Sequence, residues 1–268
     1  MNKKIGFIGC GKMAGALIKG GIKSGFAGVD DIIASEISKE RAAERSQELG
    51  IVVLTDNNEL VRISNVIFIS TTPNYVENVL NEIKESISSD KLIVSIAAGV
   101  TTGFIQSIIG DNKRIVRVMP NTPALVLEGM SGVTGGKSAL REDIEFVLSF
   151  LSKTGKALEV NEAQMDIVTA ISGSGPAFYY KIINEIARAG EKMGLDYAKS
   201  LTLSIQTALG AVKMLLNNDK TPEALIASVA TKGGCTRAGV DYLDEVNSAE
   251  MFYELIKKTT QKAKSLGK

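Results

Sequence analysis

The sequence predicts an α/β fold: an N-terminal Rossmann-type doubly wound sheet followed by a C-terminal all-α domain. Three observations predict it. Residues 4–160 alternate short apolar runs with helical patterns of about 10–15 residues, the signature of parallel strands joined by crossover helices. Gly9-Cys10-Gly11-Lys12-Met13-Ala14 fits G-x-G-x-x-A between the first such run and the first helix. After Asn161 the strand signals stop and only helical periodicity continues.

The elements follow in order. Residues 4–8 (KIGFI) read as a buried strand and 13–24 as a helix. Residues 31–35 and 39–49 repeat that pair, and 51–54 form a short third strand. Residues 65–69 (NVIFI) are a fourth strand, followed by a helix over 75–87. Residues 91–96 and 114–118 are the fifth and sixth strands, 142–152 a helix and 156–160 a closing strand. Unalternating β-branched runs belong to strands covered on both faces, hence a parallel sheet. Beyond it, helices are expected over 163–172, 175–193, 197–217, 221–230, 237–243 and 248–264. Pro222 suits a helix first turn behind Thr221 as N-cap. The helix after Tyr197 is apolar on more than one face, which predicts burial against a partner. Two domains are therefore expected, 1–160 with the dinucleotide fingerprint and 161–268, all-helical and self-associating.

Composition removes much familiar chemistry. The 268 residues include no histidine and no tryptophan. Without histidine there is no Ser-His-Asp triad, no His-ligated zinc and no imidazole acid or base. Lys+Arg 31 against Asp+Glu 30 leaves a net charge of +1, which offers no field for nucleic acid or an anionic membrane. Two cysteines, Cys10 and Cys235, make neither a disulfide framework nor a four-ligand metal site, so no metal is expected. A reducing compartment, the cytoplasm, suits them. No apolar run is long enough to span a bilayer, and the N-terminus reads as mature structure.

The glycine fingerprint has a physical role at each position. Gly9 permits the tight turn, Gly11 lets backbone approach a pyrophosphate, and Ala14 lets the helix pack close to the strand. Ile8, Cys10, Lys12 and Met13 complete this cofactor turn. The second strand ends at Ser35-Glu36, where a carboxylate accepts from a ribose 2′-hydroxyl and repels a 2′-phosphate. Ser35, Ser38, Lys39 and Arg41 are the groups that could instead hold a phosphate, so NAD and NADP both remain open, with Glu36 limiting the latter. Three further strand ends share that edge: Ser70-Thr71-Thr72-Pro73, Ala97-Ala98-Gly99 and Met119-Pro120-Asn121-Thr122-Pro123. Small residues at Ala97 and Ala98 leave room for a flat ring, and Asn121 and Thr122 offer partners for a carboxamide. Taken singly, each loop is equally explained as turn chemistry.

Two glycine-rich runs stand out in the helical part. Ser172-Gly173-Ser174-Gly175-Pro176-Ala177 precedes a long helix, and Thr231-Lys232-Gly233-Gly234-Cys235-Thr236 joins two later ones. The second presents successive backbone N–H groups at a helix start, suited to a small carboxylate. Cys10 and Cys235 lie inside the two key loops, either as redox groups or, more plainly, as small residues in tight turns.

These segments, in this order from end to end of the chain, resemble pyrroline-5-carboxylate reductase. The residues that carry it are Gly6 to Ala14, Ala97 to Val100, Met119 to Pro123, Ser172 to Ala177 and Gly233 to Thr236, with Gly234, Thr236 and Gly239 in the spacing of the family's signature. The resemblance implies hydride transfer from NADPH or NADH to C5 of a cyclic imine, giving L-proline. It implies a homodimer through the helical domain, and higher assemblies of dimers such as a pentamer of dimers. Asn57 matches a cofactor-contacting asparagine, which joins Ser70, Pro73, Ala97, Ala98, Asn121 and Thr122 as expected cofactor contacts. Ser174, Thr231, Gly233, Gly234, Cys235 and Thr236 are the expected substrate contacts, with Thr236 facing the imine nitrogen as the catalytic hydroxyl. Two positions depart from the family: Thr72 stands where a lysine is common, and Lys232 where a proline is usual.

Imine reduction also accommodates the absent histidine. Hydride addition to a protonated imine neutralises a cation, so no alkoxide awaits a strong acid. Two other readings are available. A β-hydroxyacid dehydrogenase shares the domain plan, but Lys181 and Asn184 occur in the reverse of the order it needs. A non-catalytic NAD(P)H sensor would keep the fingerprint without needing the carboxylate loop.

Overall fold

The computed structural model describes residues 3–267. β1 (Ile5–Ile8) leads into α1 (Lys12–Lys23), and β2 (Ile32–Ser35) into α2 (Lys39–Leu49). β3 (Val52–Leu54), α3 (Asn57–Ile63), β4 (Val66–Ile69), α4 (Pro73–Ile83), β5 (Leu92–Ser95), α5 (Thr102–Ile109) and β6 (Arg114–Met119) continue the alternation. β7 (Gly129–Gly135), α6 (Arg141–Leu151) and β8 (Gly155–Glu159) complete the sheet. The helices then follow without strands: α7 (Met165–Val168), α8 (Gly175–Lys192), α9 (Tyr197–Leu216), α10 (Pro222–Val229), α11 (Cys235–Glu245) and α12 (Ser248–Leu266).

The sheet order is β3-β2-β1-β4-β5-β6-β7-β8. Strand order reverses beside β1, between β2 and β4, which opens a crevice at the carboxyl ends of those strands. One expectation needs correcting. The sheet is parallel except that β7 runs antiparallel to β6. No crossover helix separates them, only a loop with a 3₁₀ turn, so the chain must double back. β7 escaped sequence reading because Gly129, Gly132 and Gly135 break up its apolar pattern. Gly132 is glycine for a packing reason: a Cβ there would lie 2.7 Å from Val168 Cγ1. The short helices α3 and α5 were also not foreseen.

Side chains alternate strictly between the two faces. Ile5, Phe7, Ile32, Ala34, Val66 and Phe68 face α1 and α6, where Leu17, Ile18, Val147 and Phe150 meet them. Ile8, Ile33, Ile67 and Ile69 face α3, α4 and α5 through Leu60, Val76, Leu80 and Ile105. Phe7 and Phe68 stack with centroids 4.5 Å apart, and Phe150 closes on Phe68 at 5.3 Å. Burial of such rings supplies most of the driving force for this layer.

The chain forms two compact units. One comprises residues through Ser174 together with those from Thr259 onward; the other is Gly175–Lys258. This division differs from the end of strand signals at residue 160, because α7 packs on β7 and stays with the sheet. The end of α12 does so too: a Cβ on Gly99 would sit 3.2 Å from the Leu266 carbonyl oxygen. In the second unit α8 and α9 pack closely where Gly190 meets Ser200. That unit buries little of its own apolar surface, and Leu203, Ile205, Leu209, Val212 and Leu216 of α9 are exposed. Among the described residues no helix is long and apolar enough to cross a membrane.

Candidate cofactor and substrate sites

The turn after β1 is built as its sequence requires. Gly9 has φ +86°, and a Cβ there would meet Thr71 Cγ2 at 2.9 Å and the Ser70 backbone at 3.1 Å. Ser70 Oγ donates to the carbonyl oxygens of Ile8 (3.0 Å) and Gly9 (2.7 Å), tying the end of β4 to the turn. Gly11 is the N-cap of α1, with no side-chain cap and no atom within 4 Å of where its Cβ would be. The first N–H groups of α1 are therefore open toward an anion. Lys12 is exposed, Met13 half-buried, and Ala14 buried under the helix. Thr71 Oγ1 is buried without a hydrogen-bond partner beside this turn. An open backbone cradle plus an orphaned hydroxyl fits a pyrophosphate-bearing dinucleotide.

Glu36 is committed to this turn. Its Oε1 accepts from Cys10 N–H at 3.0 Å, and its Oε2 from Arg41 Nε at 3.2 Å. The carboxylate holds the Arg41 guanidinium above its ordinary pKa. Arg41, close to Glu36 in sequence, is brought onto it from the first turn of α2. One turn later Arg45 lies across Gly15, where a Cβ would be 2.5 Å from its Nη2, and donates to Gly11 O at 3.5 Å. Arg45 was missed, although its i,i+4 spacing from Arg41 places both on one face. Ser35 is buried and donates to Asn57 Oδ1 at 2.7 Å, while Asn57 Nδ2 donates to Glu82 at 2.9 Å. Ser35 therefore braces Asn57 at the start of α3. Cys10 is fully buried and burial pushes its thiol pKa up, which makes it a packing residue; Cys235 is exposed.

The other strand ends line the same edge. Pro73 opens α4 behind Thr72, whose side chain makes no cap hydrogen bond. Ala97 is buried and Ala98 exposed, ahead of Gly99 at φ +76°. Thr122 is exposed at the start of a 3₁₀ turn over Thr122–Val126. Asn121 behaves differently. It is 8% exposed, and both ends of its amide bond within the protein. Ser174 follows a π-helical turn, Thr169–Gly173, and its N–H donates to Thr169 O at 2.9 Å.

In the second unit the loop from Thr231 to Thr236 turns on Gly233, at φ +77°. Gly234 N–H donates to Thr231 O at 3.0 Å, and Gly234 caps α11 with no side-chain hydrogen bond. The helix thus begins at Cys235 with its first N–H groups uncapped. Thr231, Lys232 and Gly233 are exposed, and Thr236 is half-buried.

Comparisons with known proteins bear on both sites. Residues 162–266 match the family model for pyrroline-5-carboxylate reductase dimerisation. Residues 4–99 match that for NADP oxidoreductase, coenzyme F420-dependent. The pyrroline-5-carboxylate reductase of Methanosarcina acetivorans is 39% identical, over 100% of this chain and 99% of that protein. The chain belongs to the pyrroline-5-carboxylate reductase family. The Escherichia coli member is 35% identical over the full length of both chains. The solved reductase from Coxiella burnetii superposes with TM-score 0.94 at 30% identity, over 100% of each chain. That from Plasmodium falciparum, solved with NADP bound, gives 0.87 at 31%, over 100% of this chain and 99% of that one. As a pyrroline-5-carboxylate reductase family member, the chain carries its two departures, Thr72 and Lys232, at exposed positions.

Proposed function

We propose that this protein reduces 1-pyrroline-5-carboxylate to L-proline, the final step of proline biosynthesis. The observation that carries the reading is the end-to-end similarity to reductases of that name, 39% identical to one across the whole chain. NADPH or NADH, bound at the glycine turn, supplies the hydride. Residues 1–160 bind the dinucleotide, through Gly9, Gly11 and the strand-end loops. Residues 161–268 bind substrate and pair two subunits.

The protein's own work is orientation. The open N–H groups at the start of α11 receive the substrate carboxylate, with Gly233 and Gly234 allowing close approach. Thr231 flanks it, and Lys232 adds positive charge; Ser174 is proposed as a further substrate contact. Thr236 Oγ1 hydrogen-bonds the imine nitrogen and keeps its proton directed. Since no negative charge develops at that nitrogen, alignment of the reacting carbons supplies most of the acceleration. The exposed apolar face of α9 supports a homodimer, and a pentamer of dimers would be built from it. Free thiols at Cys10 and Cys235 suit the cytoplasm.

The test is oxidation of NADH and NADPH, followed by absorbance, on adding pyrroline-5-carboxylate, with 3-hydroxy acids as control. Turnover with the imine alone supports the reading. Cofactor binding without turnover would favour a sensor, and turnover with hydroxy acids a dehydrogenase. Light scattering reads the oligomer.

A further inference from the structure

The side chain of Asn121 is spent on the protein, which changes the role its position suggested. Its Nδ2 donates to Ser172 O at 3.2 Å and Ser172 Oγ at 3.3 Å. Its Oδ1 accepts from Met130 N–H at 2.8 Å. Ser172 Oγ in turn donates to Met130 O at 3.3 Å. One amide thus links three segments: the loop after β6, the first residues of β7, and the π-helical turn Thr169–Gly173. A π turn forfeits regular helix geometry and persists only where its surroundings fix it. Here they do. Val168 packs on Gly132, and Gly173 lies against Met119, where a Cβ would be 2.5 Å from Met119 Cε. Ser174 and the start of α8 follow directly from this turn.

We infer that Asn121 is a positioning residue for the substrate side of the site. It locks the turn that sets Ser174 and does not hold the nicotinamide carboxamide. The amide has a donor and an acceptor edge, and both are occupied by the protein on a side chain that is itself buried. Releasing it for a cofactor would strand the Met130 N–H and the Ser172 carbonyl. The inference rests on the proposed function for its kinetic consequence and on the hydrogen bonds alone for its structural one.

The full-length protein and its Asn121→Ala, Ser172→Ala and double variants decide it. Asn121→Ala is expected to raise KM for pyrroline-5-carboxylate about tenfold, the scale of losing a buried hydrogen-bond pair. The Kd for NADPH and NADH, read by fluorescence titration, should stay within about twofold. Ser172→Ala should give a smaller rise, and the double variant should be no worse than Asn121→Ala, since both act through one network. A rise in cofactor Kd with unchanged KM would make Asn121 a cofactor contact and overturn the inference. So would a lower Tm with every kinetic and binding constant unchanged. If the wild-type protein binds cofactor but does not reduce the imine, the proposed function falls separately. Hydrogen exchange then decides: faster exchange at residues 169–175 in Asn121→Ala, with unchanged cofactor Kd, upholds the positioning role, and unchanged exchange there overturns it.

Discussion

Replacing Glu36 with serine tests the cofactor site most directly. The Glu36 side chain is 9% exposed and is held by Cys10 N–H at 3.0 Å and Arg41 Nε at 3.2 Å, so its charge is fixed at the end of β2. A 2′-phosphate at a separation of about 5 Å, with an effective dielectric near 40, meets a repulsion of about 1.7 kcal/mol per unit charge. For a phosphate near −1.5 that is roughly 2.5 kcal/mol, or about 70-fold in affinity. NADH meanwhile loses one hydrogen bond from its ribose hydroxyl, about 1 kcal/mol or fivefold. Glu36→Ser should therefore move the ratio of NADPH to NADH affinity about two orders of magnitude toward NADPH at low salt, and less at 0.15 M. The same variant releases Arg41 from its partner. Arg41→Ala should accordingly weaken NADPH binding in the Glu36→Ser background more than in wild type. Titration of intrinsic cofactor fluorescence gives all four constants without turnover. A ratio that moves less than about threefold would remove Glu36 from cofactor selection and refute the electrostatic reasoning.

Three further outcomes are expected. Thr236→Val should lower kcat/KM by roughly tenfold to a thousandfold with cofactor Kd unchanged, and unaltered steady-state kinetics would take Thr236 out of the mechanism. Phe68→Ala, emptying a fully buried site between Phe7 and Phe150, should cost about 3–5 kcal/mol in urea unfolding; a loss under about 1 kcal/mol would mean the three rings are not the core. Under native conditions a thiol reagent should titrate Cys235 and spare Cys10, because only the former is exposed. Burial raises the Cys10 pKa, so above roughly pH 8.5 the unfolded thiol ionises while the folded one does not. Stability is lost as pH climbs through that range, and Cys10→Ala should show a flatter fall in Tm between pH 8 and 10; parallel curves would contradict the assignment.

The sheet was readable where strands are covered on both faces. KIGFI and NVIFI have no other plausible home, and the glycines at 9 and 11 sit where the turn and the open helix start require them. β7 was not readable, because its glycines answer to neighbours distant in sequence, such as Val168, and glycine alone gives no strand signal. The same limit applies to side-chain roles. Asn121 and Glu36 were found by position, at strand ends. Which atoms they touch depends on Met130, Ser172, Cys10 and Arg41, brought there by folding. Arg45 carried no motif at all, and Thr71 was marked only as part of the loop after the fourth strand.

Helix starts in this chain differ in capping, and α6 and α7 join α1, α4 and α11 in lacking a side-chain cap hydrogen bond. Ser38, Asp56, Thr101, Asp196 and Thr221 each accept from a first-turn N–H of α2, α3, α5, α9 and α10. Each such cap is worth about 1 kcal/mol. α1 and α11 forgo it, with glycine at both N-caps, and α4 begins at Thr72 without a cap hydrogen bond. A side-chain cap at Gly11 or Gly234 would stabilise the free protein by filling the place that an anion needs. The donors left open at α1 and α11 are those a pyrophosphate and a carboxylate can satisfy, so in the proposed complex the ligands would complete both helices. Such donors also account for how a chain without histidine would act on an imine. Its fixed electrostatics reside in backbone N–H groups, whose charge does not titrate. In the proposed mechanism the one reacting cation belongs to the substrate, and the Thr236 hydroxyl directs it.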